Sequence, residues 1–234
     1  MSFSKTPISK RVLYEDNHLI VVNKLPSEIV QGDSTGDTPL SEIVKVYLKD
    51  KYQKPGNVFT GVVHRIDRPV SGAVVFARTG KALARMNELV KNRELKKNYW
   101  AIVRNLPEEH ETELKHYLVR DRKKNKSFAY NKSIIGSKEG VLKYKVIGES
   151  DSFYLLEIDL ETGRHHQIRV QLAAIGCPIK GDLKYGSPRS NKDASISLHA
   201  RSVEFVHPIK NEPIKIVAPP PPDSLWDFFV NNLP

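Results

Sequence analysis

Short apolar runs rich in β-branched and aromatic residues recur along the chain, with few helix-period segments between them. That rhythm limits the possible folds more than any other feature of the sequence. The runs at 19–23 (LIVVN) and 73–77 (AVVFA) are bounded by turn formers and read as buried strands. Residues 98–103 alternate as a strand does, with Tyr99, Ala101 and Val103 on one side and Trp100 and Ile102 on the other. Segments 141–147 and 153–160 read as a strand pair around 148–152, and 197–206 and 213–217 as late strands. Helical spacing predicts helices over 38–52, 81–94, 167–175 and 224–231. The first would be capped by Thr38, carry Pro39 in its first turn, and turn Leu40, Ile43, Val44, Tyr47 and Leu48 toward a core. The second would bury Leu83, Met86, Leu89 and Val90, the third would end at Gly176, and the last would be anchored by Trp226, Phe228 and Phe229. Strands and helices interleave without a strict βαβ rhythm. The expected class is therefore α+β, a mixed and largely antiparallel central sheet with helices packed on it. A loose tail over 1–10 and a single domain over 11–234 complete the expectation.

The chain has 234 residues, enough for one sizeable core or for a core built from two similar halves. Its apolar runs fall well short of the ~20 residues that span a bilayer, and the start of the chain has no apolar segment of the secretory kind. One cysteine, Cys177, can form neither an internal disulfide nor a multi-cysteine zinc site. A cytoplasmic location fits that usage. Lys and Arg number 37 against 27 Asp and Glu, a net charge of +10. Such an excess suits a polyanionic partner, because each Lys or Arg that neutralises a phosphate releases a condensed counterion. It is equally the composition of a protein that is merely basic.

Three segments could carry chemistry. In His64-Arg65-Ile66-Asp67-Arg68-Pro69-Val70-Ser71-Gly72 an aspartate lies between two arginines, just ahead of a buried strand. Flanking guanidiniums favour the ionised carboxylate, and Pro69 with Ser71-Gly72 implies a shaped turn. A fixed carboxylate on a loop suits a covalent nucleophile, and the same neighbours also make an ordinary surface ion pair. In Lys96-Lys97-Asn98-Tyr99-Trp100-Ala101 the lysines could meet phosphates, and Tyr99 could stack on a base or simply pack in the core. The third segment is Thr162-Gly163-Arg164-His165-His166-Gln167-Ile168-Arg169, followed by Pro178-Ile179-Lys180-Gly181-Asp182. Arg164 and Arg169 are too far out of phase to share one helix face. The paired histidines raise a zinc site, but no HExxH or CxxC partner accompanies them, so no metal is expected.

Together these segments resemble the RluA-type pseudouridine synthases, and the likeness covers nearly the whole chain. His64–Gly72 is similar to that family's HRLDxxTSG motif, whose aspartate is catalytic. Lys97–Ala101 is similar to KxYxA, whose tyrosine lies against the target base. Thr162–Arg169 is similar to TGRxHQIR, whose last arginine pairs with the aspartate. Pro178–Asp182 with Tyr185-Gly186 resembles the family's PIxGDxxYG tail, and Tyr14–Lys24 its opening strand. Ile66 and Val70 replace the usual leucine and threonine, and Gln171 and Cys177 stand where histidine is frequent.

The resemblance implies an α+β catalytic domain that converts specific uridines in structured RNA to pseudouridine, without the S4 module many relatives carry. It implies Asp67 as the catalytic carboxylate, Arg169 as its partner and Tyr99 against the base. His64, Arg65, Arg68, Lys97, Arg164, Gln167 and Ile168 would contact substrate, with core packing the alternative for Ile168. The basic face of residues 81–93 and a basic loop at 120–126 would meet phosphates. Breaking the C1′–N1 bond and rejoining the base through C5 changes no oxidation state, so no cofactor is expected. The target RNA would be of the 23S type or transfer RNA, extruded at the reacting base. A monomer with no membrane and no obligate protein partner is the default. A non-catalytic RNA-binding protein would be expected to lack one of Asp67, Tyr99 and Arg169. A retaining glycosidase would need a second carboxylate, for which Glu161 is a poor candidate.

Overall fold

The computed structural model describes residues 6–233. In chain order its elements are strands β1 (Val12–Glu15) and β2 (Leu19–Lys24), helix α1 (Leu40–Lys51), strands β3 (Gly61–Val62) and β4 (Ser71–Ala77), and helix α2 (Gly80–Lys91). Strands β5 (Lys96–Val103), β6 (Glu111–Asp121), β7 (Lys126–Tyr130), β8 (Lys138–Glu149) and β9 (Tyr154–Leu160) follow, then helix α3 (Gln167–Ala174). Strands β10 (Leu198–Val206) and β11 (Pro213–Val217) and helix α4 (Ser224–Asn232) close the chain. The class is α+β. Chain contacts divide it into two compact units. Residues up to Leu95 with Ala200–Pro219 form the first, and Lys96–His199 with the chain from Pro220 the second.

In the first unit β2 lies antiparallel to β1 and to β4, in a register that runs from Leu19 opposite Ala77 to Lys24 opposite Gly72. Alternation along β2 and β4 feeds two cores. Leu19, Val21, Ala73, Val75 and Ala77 meet Ala82 and Met86 of α2 together with Val203, Phe205 and Ile216 from β10 and β11. Ile20, Val22, Val74 and Phe76 meet Leu40, Val44 and Leu48 of α1 on the other side. Both faces of β4 are thus covered, which is why it reads as an unbroken apolar run. Gly72 is required: its φ is +119°, and a Cβ there would collide with the backbone of Ala200.

Several boundaries differ from expectation. Helix α1 starts at Leu40 with extended Pro39 at its cap, so Thr38 does not cap it. Thr79 caps α2 by accepting from the Ala82 N–H at 3.1 Å, and the left-handed Arg93 (φ +62°) ends that segment early. Residues Ile8–Lys10 form a 3₁₀ turn, with Ile8 packed on the α1 core, so this part of the expected tail is ordered; 1–5 lie outside the described residues.

The second unit runs β5-β9-β8-β6-β7, each neighbour antiparallel. Strands β6 and β7 form a hairpin that replaces the loop expected at 120–126. Arg120 and Asp121 finish one strand, Lys126 begins the next, and Arg120 pairs with Ser127. Trp100, Ile102 and Leu155 pack with Trp226 and Phe229 of α4. Phe228, expected beside them as an anchor, is 41% exposed. Helix α3 is nearly enclosed, which buries Gln167, Arg169 and Gln171 along with its apolar residues.

Candidate active site

Asp67 sits on a tight turn between β3 and β4, its carbonyl accepting from the Val70 N–H at 3.0 Å. The next carbonyl, of Arg68, accepts from the Ser27 N–H at 2.9 Å and from the Lys24 ammonium at 3.1 Å. Lys24 is fully buried, and its Nζ also donates to the carbonyls of Leu25 (2.9 Å) and Glu28 (2.8 Å). One ammonium therefore ties the turn after β2 to the Asp67 loop. Burial pushes its pKa down to about 7, against the opposing pull of the Glu28 and Asp67 carboxylates. Glu28 is itself gripped by Arg11 through two bonds of 2.7 and 3.0 Å. At the start of the loop, His64 Nε2 accepts from the Val75 N–H at 3.2 Å, and Ile66 packs on the α1 core.

Lys24 was not among the candidates, although a signal existed. It follows Ile20 and Val22 at a period of two and so points to the same covered face. Of the two arginines beside Asp67, Arg65 is exposed to solvent, whereas Arg68 forms a partly exposed ion pair with Asp37.

In the second unit Tyr99 lies on β5 opposite Ile158 and is 6% exposed. Lys97 is partly buried, and burial lowers its pKa. Helix α3 is entered through His166 in the left-handed region (φ +53°). Gln167 braces the loop. Its Oε1 accepts from Thr162 Oγ1 (2.8 Å) and the Arg164 N–H (3.0 Å), and its Nε2 donates to the Val141 carbonyl (3.1 Å). Ile168 is buried, and exposed Arg164 donates from Nε to the Glu139 carbonyl at 2.9 Å.

Arg169 is buried and donates from Nε to Asp182 Oδ2 at 2.7 Å and from Nη2 to Oδ1 at 2.9 Å. Its guanidinium lies 5.1 Å from the centre of the Tyr185 ring. The Tyr185 hydroxyl accepts from the Ser127 N–H (2.8 Å) and faces His166 Nδ1 (2.9 Å). Burial first, then Arg169, holds His166 far below the usual histidine range, so the ring that shares this hydrogen bond with the hydroxyl is neutral. His165 stacks on His166 at 3.8 Å and reaches Ser127 Oγ and Asn125 Oδ1. The histidine pair thus serves as a brace. Among the described residues no group of three or more His, Cys, Asp or Glu is placed to hold a metal. None of their helices is long and apolar enough to cross a membrane.

The family described as RNA pseudouridylate synthase matches residues 18–174. An uncharacterised RNA pseudouridine synthase of Bacillus subtilis is 34% identical over 219 residues, covering 91% of this chain and 69% of its own. Ribosomal large subunit pseudouridine synthase C of Buchnera aphidicola is 34% identical over 226 residues, covering 92% and 68%. A human structure, RNA pseudouridylate synthase domain containing 4, shares the fold with a TM-score of 0.79 at 23% identity, over 94% of this chain and 92% of that one. The chain belongs to the RNA pseudouridylate synthase family and is an isomerase that acts on uridine in RNA.

Proposed function

We propose that Asp67 is the carboxylate that starts cleavage of the uridine C1′–N1 bond, and that the substrate is a uridine in folded large-subunit ribosomal RNA, with transfer RNA as the second class to test. The observation that carries this is the fixed Asp67 turn, whose following carbonyl is held by a fully buried lysine and by the Ser27 N–H. A carboxylate held in place before substrate arrives spends no reorganisation at the moment of reaction. The name of the Buchnera relative supports the ribosomal substrate. In this reading Arg169 supplies the positive charge that orients the carboxylate, and Tyr99 lies against the base. His64 shapes the loop, while Arg65, Arg68, Lys97 and Arg164 hold the extruded nucleotide and its phosphates. Bond breaking at N1, rotation of the base and bond formation at C5 release the C5 proton while N1 takes one up, so the isomerisation balances with no change of oxidation state and calls for no cofactor or metal. The protein acts as a cytoplasmic monomer without an obligate protein partner.

The test pairs cells with and without the gene, their ribosomal and transfer RNA mapped for pseudouridine. Loss of one or a few marks, restored by the wild type and not by Asp67→Asn, is expected. Purified enzyme should release tritium from RNA labelled at uridine C5, with Asp67→Asn slower by at least about 1000-fold. An unchanged map with the protein expressed would overturn the assignment to these RNAs.

A further inference from the structure

We propose that Asp182 and Tyr185 are positioning residues for Arg169, forming a bracket that fixes the guanidinium in one orientation. The proposal rests on the reading of Arg169 given above. Both oxygens of the Asp182 carboxylate are engaged by Arg169, at 2.7 and 2.9 Å, in the planar fork that only a guanidinium offers. Asp182 is 1% exposed, so this charge is held out of water where a bidentate partner is worth most. The backbone around it is shaped for the task. Gly181 has φ +89°, and a Cβ there would press to 2.8 Å from Asn191 and the Ser195 carbonyl. The Asp182 carbonyl accepts from the N–H groups of Tyr185 and Ser187 at 3.1 and 3.0 Å, which sets the carboxylate and the Tyr185 ring on one short knot.

The ring then presents its face to Arg169 at 5.1 Å, a cation–π contact, while Lys126 of β7 lies 5.2 Å from the same ring centre. With two of its donor groups taken by Asp182 and one face against an aromatic ring, the Arg169 side chain cannot turn without breaking both contacts. The bracket therefore acts on kcat through Arg169 and leaves substrate capture alone.

The experiment is a double-mutant cycle on tritium release, run as single turnover with enzyme in excess so that slow variants are read. Arg169→Met comes first. Full activity there sinks the reading of Arg169 itself, before Asp182 is altered. If Arg169→Met is impaired, Asp182→Asn is expected to lower kcat by about 100-fold, the cost of displacing a catalytic group by an ångström, with KM and RNA affinity within about threefold. In the Arg169→Met background the same change should add less than about threefold, because its only route of action is gone. Asp182→Glu, which keeps the charge, should recover part of the loss. Wild-type kcat in Asp182→Asn, or the same loss in both backgrounds, overturns the proposal. If Asp182→Asn does not fold, Tyr185→Leu enters the same cycle with the same criteria.

Discussion

Two buried cations, one in each unit, are held in opposite ways. Lys24 in the first unit rests on three neutral carbonyls, whereas Arg169 in the second is clamped by a carboxylate and an aromatic face. The Lys24 ammonium bonds only dipoles, and the pull of the Glu28 and Asp67 carboxylates is too weak to offset burial, so it loses its proton at a pH near neutrality. A guanidinium stays charged at any ordinary pH, and its partner offsets the cost of burial. The same need, a fixed positive group near a working loop, is met once by a device that titrates and once by one that does not.

The largest test of this contrast is Arg169→Met. It leaves the buried Asp182 carboxylate without its counter-ion and should cost about 3–5 kcal/mol in denaturant unfolding. Adding Asp182→Asn should return much of that loss. If the single variant is as stable as the wild type, the clamp is not the buried pair described. Lys24→Met is the milder change, since it orphans carbonyls and leaves no charge behind. A loss of about 1–3 kcal/mol is expected, with slower turnover from a looser Asp67 loop.

The third test is pH. Unfolded, Lys24 keeps its proton to near its ordinary value of 10.5; folded, it loses it at about 7. Between those values the unfolded chain binds the extra proton, so stability rises with pH, by at most about 1.4 kcal/mol per unit. Over the same window the neutral amine can serve only two of its three carbonyls, and turnover falls. Melting temperature and kcat should therefore move in opposite directions above pH 7, and Lys24→Met should flatten both trends. Parallel movement in the wild type would break the comparison. Smallest is Arg68→Ala, which removes a partly exposed pair with Asp37 and should change stability by no more than about 1 kcal/mol. Its effect belongs in RNA affinity, measured by filter binding.

Strands with β-branched residues were legible at once, because β2 and β4 are covered on both faces and need no polar alternation. The β6–β7 hairpin was not. Leu114, His116 and Leu118 alternate inward along β6, but a buried histidine and a charged turn hide the period. Motif order pointed to Asp67, Tyr99 and Arg169, and geometry adds the groups that hold the Asp67 turn and Arg169. Arg169 meets Asp182 only because the chain turns sharply at Gly181, a fold-back that no local spacing encodes. Gln167 shows the converse: it sits inside a motif, yet its amide is spent on three loop contacts.

The first unit is also discontinuous: Val203, Phe205 and Ile216 complete an apolar face begun by Leu19, Val21 and Val75. On a ribosome adding about 5–20 residues per second, the early strands must wait roughly 5 to 20 s while 96–199 are made. The intervening segment carries β5 to β9 in an unbroken stretch and can assemble as it emerges. The half made first thus waits for strands made some hundred residues later, and the newborn chain holds its oldest apolar surface uncovered the longest, before residues from Pro220 bring Trp226 and Phe229 to the second unit.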